Sequence, residues 1–211
     1  MVVGVLPDLF PLGGGKTAVT PGRLASLVVR EVTRETWPDF ERLFEARGGP
    51  SYCWCMAFCA TREELRGADR ASRKAQMEAR VNAGTPVGIL GYVGSEPVAW
   101  CSIAPRHTFR KLVSDGSSDE GVWSITCFYV ARRHRGAGIA VAMLAAAVRH
   151  AEARGARLVE AYPVDPQSPS YRHMGFLPTF ERAGFTECGR EGKRRHVVRL
   201  AVGRSEGDRI C

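Results

Sequence analysis

The sequence predicts a mixed α/β domain, a twisted sheet with helices on both faces. Three observations carry that expectation. Apolar runs of strand length alternate along the chain with amphipathic stretches of helical period. Two of the runs, 87–93 and 97–103, flank Gly94-Ser95-Glu96 in the manner of a hairpin. A third, 122–130, empties through a basic, glycine-punctuated turn into a long helix with one apolar face. With 211 residues the chain suits a single domain that can bury a real core.

The elements follow in order. Residues 1–25 are rich in Gly and Pro, lack periodicity and read as a loose arm; Pro7, Pro11 and Gly13 to Gly15 break the apolar stretch, and no basic segment precedes it, which argues against a signal peptide. Residues 26–30 read as the first strand. Thr36 is an expected helix cap, and Phe40, Leu43 and Phe44 share a helical face until Gly48-Gly49. Residues 52–59 are unusually apolar for a connection. Thr61 with Glu64 has the spacing of a capping box, and a helix is expected from near Ser72 to Gly84. Residues 106–119 are polar and irregular and predict a mobile loop. The helix after the central strand places Ile139, Met143, Ala147 and Ala151 on one face and stops at Gly155. Residues 158–163 form a further strand, 164–178 a loop, 195–200 the last strand and 204–211 a tail.

Composition narrows the class. A charged share of 25% and an apolar share of 45% are those of a soluble globular protein, and no run of about 18 apolar residues predicts a membrane span. Seven cysteines, an odd number without small-scaffold spacing, fit a reducing, cytoplasmic compartment better than a disulfide framework. Cys53, Cys55 and Cys59 form C-x-C-x3-C, which lacks the usual pair spacing and a nearby fourth ligand, so no metal is expected. The net charge of +8 is spread along the chain instead of forming one block, which argues against a nucleic-acid surface; a solvated Arg-rich surface or a basic mouth for a phosphate-bearing ligand accounts for it.

The turn from Ala131 to Ala140 carries the chemistry. Its glycines permit close backbone approach, and the free amides at the new helix's N-terminus favour an anion. A dinucleotide fingerprint would need Gly or Ala at Val141, and a Walker loop would need Lys and Ser/Thr after its last glycine. The segment Gly15-Lys16-Thr17 also fails, because the earlier glycine it requires is Phe10. What remains is R-x-x-G-x-A, Arg135 to Ala140.

This motif resembles that of the GNAT superfamily of acyl-CoA-dependent N-acetyltransferases, Q/R-x-x-G-x-G/A. The segment Thr179-Phe180-Glu181-Arg182-Ala183-Gly184-Phe185 is similar to the family's later helix and its Gly-Phe exit. The resemblance covers 122–200 and, by order of elements, extends to about residue 26. It implies the GNAT fold, a mostly antiparallel sheet of about seven strands whose central pair splays. It further implies acetyl-CoA as cosubstrate, with Arg135, Gly136, Ala137, Gly138, Ile139, Ala140 and Val141 at the pyrophosphate and the strand edge Phe128, Tyr129 and Val130 along the pantetheine. A backbone N–H near Phe128 would polarise the thioester carbonyl.

Relatives supply an acid from a Tyr just before the Glu of the later helix; here that position is Phe180, which leaves Tyr162 or solvent for the role. For the base, Glu160 stands out because it interrupts an apolar strand where its carboxylate would be poorly solvated; an arginine ion pair or a water chain are the rival readings. Cys53, Trp54 and Cys55 fall where the family's acceptor rim lies, with packing on the sheet as the alternative. Cys127 and the five histidines read as structural or solvated. The expected acceptor is the primary amine of a small molecule. A protein or aminoacyl-RNA amine, a non-catalytic acyl-CoA sensor and homodimer formation stay open.

Overall fold

The computed structural model describes residues 27–112, 120–203 and 211. The expected arm, segment 113–119 of the expected loop and 204–210 of the tail lie outside the described residues.

Seven strands form one sheet: β1 (Leu27–Glu31), β2 (Ile89–Val93), β3 (Glu96–Pro105), β4 (Val122–Val130), β5 (Leu158–Ala161), β6 (Thr186–Glu191) and β7 (Arg195–Ala201). Their order is β1-β2-β3-β4-β5-β7-β6. Every neighbouring pair is antiparallel except β4 and β5. The described helices are α1 (Trp37–Glu45), α2 (Met56–Cys59), α3 (Arg62–Leu65), α4 (Arg70–Asn82), α5 (Ile139–Glu152) and α6 (Leu177–Arg182). A parallel pair needs a crossover, and α5 supplies it.

Two cores sandwich the sheet. On one face α1 buries Trp37, Phe40, Leu43 and Phe44, the expected helical stripe, against Trp54 and Trp100. On the other, α5 buries Ile139, Met143, Leu144, Ala147 and Ala151 against Ile89, Val98, Ile125 and Val159. Alanines in that stripe let the helix lie close to the strands; a Cβ on Gly91 of β2 would stand 2.6 Å from Met143 Sδ.

Several expectations are corrected. Thr36 does not cap α1: its own backbone is helical, and its hydroxyl donates to Glu31 O (2.8 Å) and accepts from Thr33 N (2.8 Å), tying the turn to β1. The Thr61/Glu64 capping box forms, but it starts the four-residue α3; α4 has a separate cap, Asp69, which accepts from Ser72 N at 2.8 Å. Helix α5 begins at Ile139, the first residue of the expected apolar face. Residues 106–112 are anchored instead of mobile, because Arg106, Phe109 and Leu112 are all buried. The loop 164–178 contains a 3-10 turn, Arg172–Met174, whose Met174 is fully buried. Strand β6, TECGRE, has a mostly exposed polar face pattern and shows no periodic apolar signal; it exists because its backbone pairs with β7.

The most consequential local feature is a bulge in β4. Ile103 pairs with Ile125 and Ser102 with Cys127, so Thr126 is an extra residue, and its hydroxyl lies 3.1 Å from that of Ser102. Side-chain alternation shifts there. Trp123 and Ile125 face α5, and after the bulge Phe128 and Val130 face α5 whereas Cys127 and Tyr129 face α1.

His150, in the last turn of α5, packs edge-on to Trp123 with centroids 5.7 Å apart, and its Nε2 is buried without a hydrogen-bond partner. A helix C-terminus would favour the imidazolium, but burial, reinforced by Arg154, outweighs it and pushes the pKa down to about 4. The unfolded chain therefore takes up this proton first, and stability falls as pH drops from about 6.5 towards 4. His150→Phe is expected to remove about 2 kcal/mol of that acid-side loss, read as the difference between variant and parent in urea unfolding at pH 7 and pH 4.5.

Candidate active site

Pairing between β4 and β5 stops at Ile125 and Ala161. Beyond that point β4 continues to Val130 with β3 alone, while the chain after β5 bridges Phe176 and Arg195 through Val164. The two central strands thus part, and a cavity opens on each side of the parting.

On the α5 side a cleft of about 550 Å³ is walled by Phe128, Tyr129 and Val130 of β4, by Ala140 and Leu144 of α5, and by Phe176, Thr179 and Phe180 around α6. Arg135, Arg172 and His173 add its polar lining. At its end lies the predicted turn. After a 3-10 turn at Arg132–His134, Arg135 Nε donates to Val130 O (2.9 Å) and folds the chain back. Gly136 and Gly138 adopt φ of 78° and 76°, where a side chain is disfavoured, and Gly138 caps α5 with no side chain to occupy the first-turn amides. No acidic residue stands in that first turn, so the helix's positive end faces outward unopposed.

The predicted residues divide clearly. Phe128, Tyr129, Val130, Arg135 and Ala140 line the cleft. Gly136, Ala137 and Gly138 form the turn itself, and Val141 is nearly half exposed on the helix's first turn. Ile139 is a core side chain at 2% exposure, so only its backbone can face a ligand. Tyr129 also donates to Gly48 O (3.2 Å), tethering β4 to the loop after α1. Phe180 packs in a T against Phe128 and Phe185, with centroids at 6.1 and 5.3 Å; the position holds a wall, not a proton.

On the α1 side a second pocket, about 300 Å³, is lined by Glu160, Tyr162, Arg106 and Arg199, with Lys111 and the β6 residues Cys188 to Glu191 at its edge. Strand β5 delivers Glu160 opposite Arg199 of β7, and Arg199 Nε donates to Glu160 Oε2 at 2.7 Å. Arg106 Nη1 stands 3.7 Å from Oε1, and the Tyr162 hydroxyl donates to the same oxygen. Glu160 and Arg106 are 2% and 3% exposed. The arginine partner foreseen as a rival to the base reading is therefore present, twice over. Burial and the adjacent Glu160 charge push the Tyr162 phenol well above its ordinary range, so it stays a protonated donor.

The proposed acceptor rim is corrected. Trp54 is fully buried, stacked on Trp37 and Phe44 at 5.9 and 5.3 Å, and presents no surface to an acceptor. Cys55 is buried beneath it and accepts from Trp100 Nε1 at 3.1 Å. Only Cys53 is partly exposed, and its thiol bonds Pro50 O at 3.4 Å. Burial and neighbouring thiols raise the pKa of both cysteines, so neither is a thiolate nucleophile. Among the described residues no three His, Cys, Asp or Glu side chains could hold a metal ion. Cys188 of β6 is bridged to Cys211, a single pair that cysteine spacing does not reveal, while Cys53, Cys55, Cys59, Cys101 and Cys127 are free thiols.

Sequence reasoning missed Arg106, Lys111, Arg190 and Arg199, as well as Arg172 and His173 of the cleft. Only the β5–β7 register marks Arg199, and nothing local marks the others.

Comparison with known proteins bears on this arrangement. The family model for the acetyltransferase (GNAT) family matches residues 30–176. No curated protein matches at a significant level. Among solved structures, YncA of Salmonella typhimurium, determined with its cofactor acetyl-CoA, is 14% identical, with 88% of this chain and 99% of that one covered and a TM-score of 0.53. The PaiA N-acetyltransferase of Thermoplasma acidophilum, in complex with coenzyme A, is 11% identical, covering 83% and 99%, at a TM-score of 0.51. An N-acetyltransferase from Staphylococcus aureus Mu50 is 13% identical, covering 83% and 98%, at 0.52. At these identities the likeness establishes a shared fold. The family match spans more than half of the chain, including the strand, the turn and the helix that build the cleft, and the protein belongs to the GNAT family of acetyltransferases.

Proposed function

We propose that the protein transfers an acetyl group from acetyl-CoA to the primary amine of a small molecule, by direct attack of the amine. The observation that carries this reading is the placement of a glycine-turn cleft on one face of the strand parting and, on the other, a polar pocket that includes Tyr162 just beyond the last β4–β5 pair. A pocket of about 300 Å³ suits a small acceptor better than a polymer.

The residues present fit the cosubstrate. The uncapped start of α5 and the two left-handed glycines offer amides to a diphosphate, and Arg135 stands beside them. The β4 edge from Phe128 to Val130, unpaired on its β5 side, offers backbone groups to an extended amide chain, with Phe180 and Leu144 as apolar walls. When bound, acetyl-CoA supplies an acyl carbon activated by a thiolate leaving group.

Tyr162, held by Glu160, orients the acceptor: its oxygen accepts a hydrogen bond from the amine while its own proton stays donated to Glu160. Arg199 and Arg106 hold the carboxylate in place, and the amine loses its proton to solvent. No group stands at Phe180 to protonate the leaving thiolate, so that proton comes from solvent.

Gly138→Trp is expected to abolish acetyl-CoA binding by calorimetry while far-UV circular dichroism stays native; unchanged affinity would remove the turn assignment. Tyr162→Phe, which keeps the ring's packing, should lower kcat by about ten- to a hundredfold with little change in the KM for acetyl-CoA. An unaltered kcat in steady-state assays would take Tyr162 out of the mechanism.

A further inference from the structure

The charge of the acceptor pocket is opposite to what a simple amine requires. An ammonium entering it meets Arg106, Arg199, Lys111 and Arg190, against two carboxylates, Glu160 and Glu191. Neither carboxylate is available as a counter-ion. Glu160 is committed to Arg199, Arg106 and Tyr162, and Glu191 Oε1 accepts from Arg195 Nη2 at 2.7 Å. Four cationic side chains against two carboxylates leave the described lining with a surplus of positive charge, which disfavours a bare cation, yet the Tyr162 hydroxyl that would meet the acceptor amine sits in the same wall.

These facts are reconciled if the acceptor brings its own negative charge. We propose that the substrate is an amine that also carries an oxyanion group, a carboxylate or a phosphate, and that the basic side of this pocket binds that group while the amine points at Tyr162. The inference rests on the acetyltransferase reading and adds the substrate class. Arginine forks suit planar or tetrahedral oxyanions, and Lys111 adds a mobile point charge.

The division of labour follows from position. Tyr162 is the first residue beyond the last β4–β5 pair, so the reacting end lies at the parting of the strands. Arg190 lies on β6, the outer strand beyond β7, with Nε 3.8 Å from Glu187 and half its side chain exposed, and Lys111 lies on the segment that follows β3. The anion-binding end is accordingly the outer one. A substrate held this way spans from the β6 edge to the strand parting. The surplus of cationic side chains in the described lining favours the entry of such an anion.

The test uses the full chain and three matched probes: an aminocarboxylic acid, its carboxamide and its aminophosphonate. Calorimetry in the presence of CoA is expected to show the acid or the phosphonate binding at least tenfold more tightly than the amide, and which of the two wins names the oxyanion. Equal or tighter binding of the amide overturns the inference. Release of CoA thiol from acetyl-CoA, followed separately, tests the transferase reading: if amides are acetylated as fast as acids, that reading stands and this one falls. If no amine releases thiol, the transferase reading falls, and the calorimetric preference still decides whether the pocket is an anion site. Lys111→Glu and Arg190→Glu, both on the rim, should raise the apparent Kd of the acid at least tenfold and leave that of the amide unchanged or lower. An equal effect on both probes would make these residues merely structural.

Discussion

The structure depends on one constraint, the point at which β4 and β5, the parallel neighbours among the described strands, come apart. Strands β4 and β5 share hydrogen bonds as far as Ile125 and Ala161, and the bulge at Thr126 sits one residue beyond. A bulge reverses which face each later side chain takes. Here it sends Phe128 and Val130 to the α5 face, where they wall the cleft, and Cys127 and Tyr129 to the α1 face. Had β4 continued in register, the two faces would exchange these side chains and the strand edge would be consumed by pairing. The free β4 edge and the cleft beside it follow from this one interruption of the sheet.

The buried charge cluster on β5 is the second organising interaction. Placing a carboxylate and two guanidinium groups beneath the surface costs several kcal/mol per ion before their attraction is counted, so such a cluster is weak evidence for stability. Its value here is positional. With both Glu160 oxygens engaged, the Tyr162 hydroxyl is held on Oε1 and the phenol remains protonated. The same arginines that fix Glu160 also line the pocket.

Much of the architecture was legible in local pattern. The α1 stripe, the Gly94 hairpin, the Thr61 capping box and the apolar face of α5 each rest on contacts within a few residues, and each formed. So did the Arg135–Ala140 turn, whose chemistry depends on backbone freedom at two glycines and on a helix start. Glu160 was conspicuous because a carboxylate in an apolar strand violates local consistency. What failed did so for want of local signal. Thr36 found better partners in β1 than in its own helix, β6 draws its order from β7, and the aromatic and cysteine segment at 53–55 went into the core, because Trp54 gains more from stacking among Trp37, Phe40 and Phe44 than from lining a rim.

The sequence by itself determined the alternation of strands and helices, the phosphate-type turn and the oddity of a charge at position 160, because periodicity, glycine freedom and hydrophobicity are properties of neighbouring residues. Tertiary structure alone decided who surrounds that charge. Arg106 and Arg199 are 54 and 39 residues from Glu160, and they meet it only because β5 is sandwiched between β4 and β7 and the chain leaving β3 passes beneath. Electrostatic environment depends on distance in space, which strand order sets and which no local pattern of residues encodes.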